Sequence, residues 1–203
     1  MQLSTLLAFG LACALVELTP GPNMAYLALL AADRGRKSAF AAVLGVALGL
    51  MIVGVAASLG LTGLIANSPF LYHALLWGGV GYFLWLAWEA WHSARETSVG
   101  KLGFEDGARF FRRGLVTNLL NPKAAIFYIA VVPTFVSRDG NLLGQTVILS
   151  MIFVVIATFI HTGIILLAGT AQPLVANAER SVVIRRGFAI ALVGIAAWMG
   201  MSL

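Results

Sequence analysis

The sequence predicts an all-α integral membrane protein with six transmembrane helices, arranged as two inverted three-helix repeats. Three observations lead to this prediction. First, 60% of the 203 residues are hydrophobic, only 10% are charged and the mean hydropathy is +0.94, whereas a soluble domain carries about 25% charged residues. Second, the apolar residues fall into six runs of membrane-spanning length. Third, proline interrupts two of these runs at corresponding places in the two halves of the chain.

Each of the six runs reaches the roughly 20 residues that a helix needs to cross the hydrocarbon core of a bilayer. The first, second and fifth runs are long enough to tilt or to contain a break. The amino terminus lacks the basic region of a signal peptide, so we interpret its apolar run as the first permanent span. The predicted spans are 3–31, 38–66, 70–91, 115–136, 142–171 and 183–203.

Lysine and arginine are distributed unevenly between the loops. Eleven of them lie in loops 32–37, 92–113 and 172–186, whereas the loops on the other side carry only Arg138. Because positive residues stay on the cytoplasmic side, this asymmetry predicts a multi-pass membrane protein with both termini on the non-cytoplasmic side. The net charge of +5 is therefore an orientation signal, and no nucleic-acid partner is predicted.

Three spans in each half give the two halves opposite orientations in the membrane. With an offset of 100 residues, Pro22 of the first span aligns with Pro122 of the fourth. Two unrelated helices that both contain proline are the alternative interpretation. The predicted single membrane domain, 1–203, divides into repeat one (1–91), a linker (92–113) and repeat two (114–203).

Proline removes a backbone donor and obstructs the carbonyl one turn earlier, so Pro20, Pro22 and Pro122 free backbone groups at mid-membrane depth. Such groups are tolerated there only inside the protein or around a water-filled cavity. The half-helices that follow direct positive N-termini toward an anion such as a carboxylate. Interrupted segments at corresponding positions of two halves indicate the binding site of a transporter.

Two charged residues, Glu17 and Lys123, lie beside these breaks. Glu17 is roughly 21 Å of helix from the outer surface and Lys123 roughly 15 Å from the cytoplasmic one. An unpaired charge at this depth costs about 2.5–3.5 kcal/mol, so we expect both to pair or to line a cavity. One interpretation is a site for a zwitterion, in which Lys123 binds the carboxylate and Glu17 binds the amine or a proton; the other is a purely structural Glu17–Lys123 salt bridge. The predicted substrate-binding residues are Glu17, Pro20, Gly21, Pro22, Asn23, Asn118, Asn121, Pro122 and Lys123.

His161 lies well inside the fifth span. Because imidazole gains and loses a proton near neutral pH, His161 is a candidate for proton coupling together with Glu17, and a neutral histidine bonded across helices is an equal alternative. Gly45, Gly49 and Gly163 are expected to mark close helix packing. The spans contain no histidine pair at i, i+4 and no carboxylate cluster, so neither a metal site nor a cofactor is predicted. Nothing resembles the catalytic arrangement of an enzyme.

Several segments together resemble the amino-acid exporters of the LysE/RhtB type. They are Thr19-Pro20-Gly21-Pro22-Asn23, the stretch from Gly114 to Ala124 that ends Leu120-Asn121-Pro122-Lys123-Ala124, and the glycine- and tryptophan-rich third span around Gly78-Gly79. The resemblance covers nearly the whole chain. It implies a secondary active exporter of amino acids or close derivatives in the inner membrane, driven by proton entry, with a homodimer as an open alternative to the monomer.

The chain departs from this family pattern in the fifth span. Members often carry an acidic residue there, whereas this chain has Ala157-Thr158 and, one turn further on, His161. Proton coupling would then depend on Glu17 or His161. The alternatives to amino-acid export are export of another small solute or a metal ion, and a structural membrane subunit that transports nothing.

Overall fold

The computed structural model describes residues 1–60, 68–92, 104–137, 140–171 and 178–201, and all regular structure within them is helical. A π-helix (Phe127–Val131) and a 3-10 helix (Val132–Phe135) continue the chain after the sixth α-helix, and a short 3-10 turn (Gly169–Ala171) follows the seventh. The α-helices are α1 (Leu3–Leu18), α2 (Pro22–Arg34), α3 (Arg36–Ser58), α4 (Pro69–His92), α5 (Phe104–Leu119), α6 (Pro122–Ile126), α7 (Leu142–Ala168) and α8 (Ala178–Met201).

The helices of the described residues support three to five of the six predicted spans. Three of them, α3, α4 and α7, are each long and apolar enough to cross a membrane. Two bent pairs raise the number to five: α1 and α2 meet at 58°, and Asp106–Leu119 meets Pro122–Phe135 at 49°. The predicted breaks in spans 1 and 4 are thereby confirmed. The sixth predicted span contains a shorter apolar helix, Arg186–Met201.

Several predicted boundaries cannot be compared with the structure. The end of the second span (61–66), half of the linker (93–103), residues 172–177 and the last two residues lie outside the described part of the chain. Arg138, the one basic residue assigned to a non-cytoplasmic loop, lies outside it as well.

Helix α5 begins at Phe104, inside the segment that the sequence analysis assigns to the linker. The charges that make this segment look like a loop lie on one side of an amphipathic helix: Asp106, Arg109 and Arg112 are exposed, whereas Phe110 is buried. Such a helix can stand at a membrane surface and then continue into the bilayer, because only its packed face must be apolar. The helix that contains the start of the fourth predicted span (115–136) therefore begins before that span.

Helix α1 has one face that is exposed and another that is buried in the bundle. Leu7 and Leu11 are 66% and 63% exposed, whereas Phe9 and Cys13 are fully buried and Glu17 is 7% exposed. Residues two positions apart on an α-helix point to nearly opposite sides. The exposed leucines are therefore positioned to meet lipid, and Glu17 lies on the side that faces the bundle.

Helix α3 lies at the centre of the bundle, against α5 on one side and α7 on the other, while α4 packs against α8. A β-carbon on Gly45 would lie 2.0 Å from the backbone oxygen of Phe111, and one on Gly114 would lie 2.0 Å from that of Ala42. The backbones of α3 and α5 therefore touch, as small residues permit in membrane helices. The packing role predicted for Gly45 is confirmed. The one predicted for Gly163 is wrong, because no atom of the other described helices lies within 4 Å of its β-carbon position.

Candidate functional site

The first break separates α1 from α2. Helix α1 ends at Leu18, and α2 begins at Pro22 with the extended residue Gly21 before it. Proline suits the first position of a helix because the N–H it lacks has no partner there in any case. No side chain caps the N-terminus of α2. The partial positive charge of this helix end is therefore available beside the break.

The second break separates α5 from α6. Helix α5 ends at Leu119, and α6 begins at Pro122. The Oδ1 atom of Asn121 accepts a hydrogen bond of 3.0 Å from the backbone N–H of Lys123. Asn121 is thus the N-cap of α6, a structural role that the sequence analysis did not assign to it.

The side chain of Lys123 reaches from the second break to the first. Its Nζ donates a hydrogen bond of 2.8 Å to the carbonyl oxygen of Thr19. On its way the side chain passes Gly21, where a β-carbon would lie 3.1 Å from Cδ and 3.5 Å from Nζ. The two breaks are therefore adjacent, and the Lys123 ammonium lies between them next to the N-terminus of α2.

Two buried asparagines form a second connection between the breaks. Asn23, in the first turn of α2, donates from Nδ2 to Oδ1 of Asn118 in α5 over 2.7 Å. Gly49 of α3 leaves room for this amide, since a β-carbon there would lie 2.8 Å from Nδ2 of Asn118. Among the described residues, Oδ1 of Asn23 and Nδ2 of Asn118 have no hydrogen-bond partner. The pair thus holds one acceptor and one donor unsatisfied, although buried polar groups are nearly always paired.

Glu17 faces His161 across the contact between α1 and α7. Oε2 of Glu17 lies 3.2 Å from Nε2 of His161, and both side chains are buried. Within the described part of the chain, Nδ1 of His161 has no hydrogen-bond partner. The direct Glu17–Lys123 salt bridge considered from the sequence is not formed between these two described residues, because Glu17 contacts His161 and Lys123 contacts Thr19.

The sequence-predicted residues therefore lie together around the two adjacent breaks, and His161 lies beside Glu17. Pro20 lies exposed in the first break. The carbonyl of Thr19 was missed by the sequence analysis. The proline that follows it was a usable signal, because the residue before a proline is driven out of the helical conformation, and Thr19 is extended. Glu89, which the sequence analysis does not single out, forms ion pairs with Arg109 and Arg113 at the basic end of the bundle.

A helical membrane protein with two broken spans whose breaks meet at charged groups has the architecture typical of secondary transporters. The comparison with known families agrees with this class. The family model described as LysE type translocator matches residues 14–202, and the chain belongs to this family. No solved structure was found to match the chain.

Several relatives carry names that describe efflux. The homoserine/homoserine lactone efflux protein of Salmonella typhi is 30% identical over 79% of this chain and 79% of its own length. The threonine efflux protein of Escherichia coli (strain K12) is 30% identical over 68% of this chain and 69% of its own length. The leucine efflux protein of Enterobacter sp. (strain 638) is 26% identical over 76% of this chain and 74% of its own length.

Proposed function

We propose that this protein is a secondary active exporter of amino acids or close derivatives, with an alternating-access site between the two helix breaks. The observation that carries the proposal is the position of Lys123, whose ammonium lies against both breaks. Membership of the LysE type translocator family and the names of its efflux relatives supply the substrate class.

The charges around the breaks match a zwitterion. The Lys123 ammonium and the uncapped N-terminus of α2 form the positive part of the site and bind the substrate carboxylate. Without substrate, the Lys123 ammonium donates a hydrogen bond to the Thr19 carbonyl. When substrate binds, its carboxylate takes the place of that carbonyl. The free acceptor of Asn23 and the free donor of Asn118 orient the substrate, which satisfies these buried groups when it binds.

Proton coupling is assigned to the pair formed by Glu17 and His161. A carboxylate and an imidazolium in contact attract one another, and a proton delivered to Glu17 abolishes that attraction. The pair joins α1 to α7, so its protonation state changes how strongly these two helices are held together. The fifth span of this chain carries His161, and Glu17 and His161 together form an acid–base pair within the membrane.

The packing of the helices supports an inverted repeat. If spans 1–3 correspond to spans 4–6, the contact between α3 and α5 has the contact between α7 and α1 as its counterpart in the other half. Both contacts occur. The contact of α4 with α8 and that of α3 with α7 each map onto themselves under this correspondence, and both occur as well. These contacts fit a two-fold relation between the two halves, as an inverted repeat has.

The distribution of charge supports termini on the non-cytoplasmic side of the inner membrane. Arg36 donates to the carbonyl of Leu166 near the end of α7, and Arg109 and Arg113 pair with Glu89 near the end of α4. The basic residues of separate loops thus flank the same ends of successive helices. By the positive-inside rule this face is cytoplasmic.

Uptake into inverted membrane vesicles with an imposed acid-inside proton gradient tests the proposal, with a panel of labelled amino acids as substrates. We expect gradient-dependent uptake of one or a few amino acids by the wild-type protein, loss of that uptake in Lys123→Met, and normal uptake in the matched control Lys37→Met, whose lysine is exposed. Retained uptake in Lys123→Met would refute the proposed site. If the folded wild-type protein moved no amino acid, the substrate class would be wrong, and another solute, a metal ion or a structural role would replace it.

A further inference from the structure

A cavity of about 730 Å³ opens at the end of the bundle that carries Met1. Among the described residues that line it, Gln2, Thr5, Ser137, Asn141 and Gln145 have uncharged polar side chains. The volume falls in the range of small-molecule sites and exceeds what one amino acid fills.

A cluster of aromatic rings lies directly beneath this cavity. Phe135, which lines the cavity, contacts Phe9 with ring centroids 5.2 Å apart. Phe9 lies 5.8 Å from Phe127, which stacks on Phe153 at 4.2 Å. The rings of Phe9, Phe127 and Phe153 are almost completely buried. They come from α1, the π-helix and α7, so the cluster closes the space between three separate elements.

The same two helices that form the cavity lead through the aromatic cluster to the buried acid–base pair. On α1, Thr5 lines the cavity, Phe9 belongs to the cluster and Glu17 contacts His161. The step from Phe9 to Glu17 spans roughly 12 Å along the helix.

Helix α7 repeats this order, and its aromatic and ionisable residues, Phe153 and His161, are as far apart in sequence as Phe9 and Glu17. Gln145 lines the cavity, Phe153 belongs to the aromatic cluster and His161 contacts Glu17. The two helices therefore present matching levels: a polar level at the cavity, an aromatic level below it and an ionisable level at the helix break.

From this alignment we propose that the cavity is the release vestibule for the exported amino acid, and that Phe9, Phe127 and Phe153 form the barrier that closes it from Glu17 and His161. The proposal rests on the proposed function for the identity of the solute. A relative movement of α1 and α7 separates the rings and joins the vestibule to the site.

The single cysteine of the chain, Cys13, provides the test because it is fully buried one turn from Phe9 on the side of Glu17. A membrane-impermeant cationic methanethiosulfonate reagent is added to right-side-out vesicles, and the rate of Cys13 modification is measured. We expect slow modification in the wild type and at least tenfold faster modification in Phe9→Ala and Phe153→Ala. The matched control is Phe159→Ala, on the same helix as Phe153 but with a side chain 80% exposed, and its rate should equal that of the wild type.

The vestibule is tested separately with Thr5→Cys in a Cys13→Ala background. We expect rapid modification from the outside, slowed by added threonine or leucine. Equal rates in Phe9→Ala, Phe153→Ala and Phe159→Ala, all recovered as monodisperse protein, would overturn the barrier. Modification of Thr5→Cys only in inverted vesicles would overturn the outward vestibule. The milder variant Phe9→Leu should give an intermediate rate and serves if Phe9→Ala does not fold.

These measurements need no transport, so they separate the two proposals. If wild-type vesicles move no amino acid but the modification rates follow the expected order, the proposed substrate class fails and the barrier stands. If transport is normal while Cys13 is modified as fast as Thr5→Cys, the barrier fails and the exporter stands.

Discussion

Replacing Gly21 with alanine should impair transport without unfolding the protein. A β-carbon at this position would lie 3.1 Å from Cδ of Lys123, whereas carbon atoms in favourable contact are about 3.5–4.0 Å apart. The lysine stem must therefore move by about 0.4–0.9 Å. The backbone itself presents no obstacle, because Gly21 has an extended conformation that alanine adopts freely. The substitution thus acts on the position of the Lys123 ammonium.

A displacement of about 1 Å at a reacting centre can cost as much as 100-fold in rate. Since the lysine side chain can adjust in part, we expect the initial rate of uptake into inverted vesicles to fall about tenfold, which corresponds to about 1.4 kcal/mol. The matched control is Gly10→Ala in α1, where the added carbon makes an ordinary contact of 3.5 Å with Ile156. Equal rates for Gly21→Ala and Gly10→Ala, at equal abundance in the membrane, would refute the reasoning.

Two further substitutions test coupling and packing. Glu17→Gln should abolish gradient-driven accumulation but retain exchange of labelled for unlabelled substrate, because the variant binds substrate and no longer carries a proton; accumulation equal to the wild type would contradict this assignment. Gly114→Ala, whose β-carbon would lie 2.0 Å from the backbone oxygen of Ala42, should lose about 1–3 kcal/mol of stability through overpacking. Its midpoint of thermal unfolding in detergent should fall, while that of Gly163→Ala should not, and equal midpoints would argue against the close packing of α3 and α5.

The helix breaks could be predicted from the sequence because proline acts locally. A proline ring removes a hydrogen bond at a known position in any surrounding, so Pro22 and Pro122 identify the breaks without knowledge of the fold. The depth of Glu17 and Lys123 follows from the rise per residue of a helix in the same way. These features needed no information about which helices are neighbours.

The partners of the charges could not be predicted, because they depend on how distant helices pack. The sequence places His161 in the fifth span, but the rotation of α7 and its contact with α1 decide that it meets Glu17. Likewise, the pairing of Glu89 with Arg109 depends on α5 beginning at Phe104, and the charges of that segment made it look like a linker.

The binding of substrate analogues to Lys123 tests the central claim most directly. The substrate found in the vesicle assay and its carboxamide, which has lost the carboxylate charge, are each titrated against the wild-type protein and Lys123→Met in lipid nanodiscs. If Lys123 binds the carboxylate, the wild type should prefer the amino acid by at least tenfold, as expected for a charge-assisted hydrogen bond worth about 1.5–3 kcal/mol. Lys123→Met should then show little preference. An equal preference in both proteins would show that the carboxylate is bound elsewhere and would contradict the site between the two breaks.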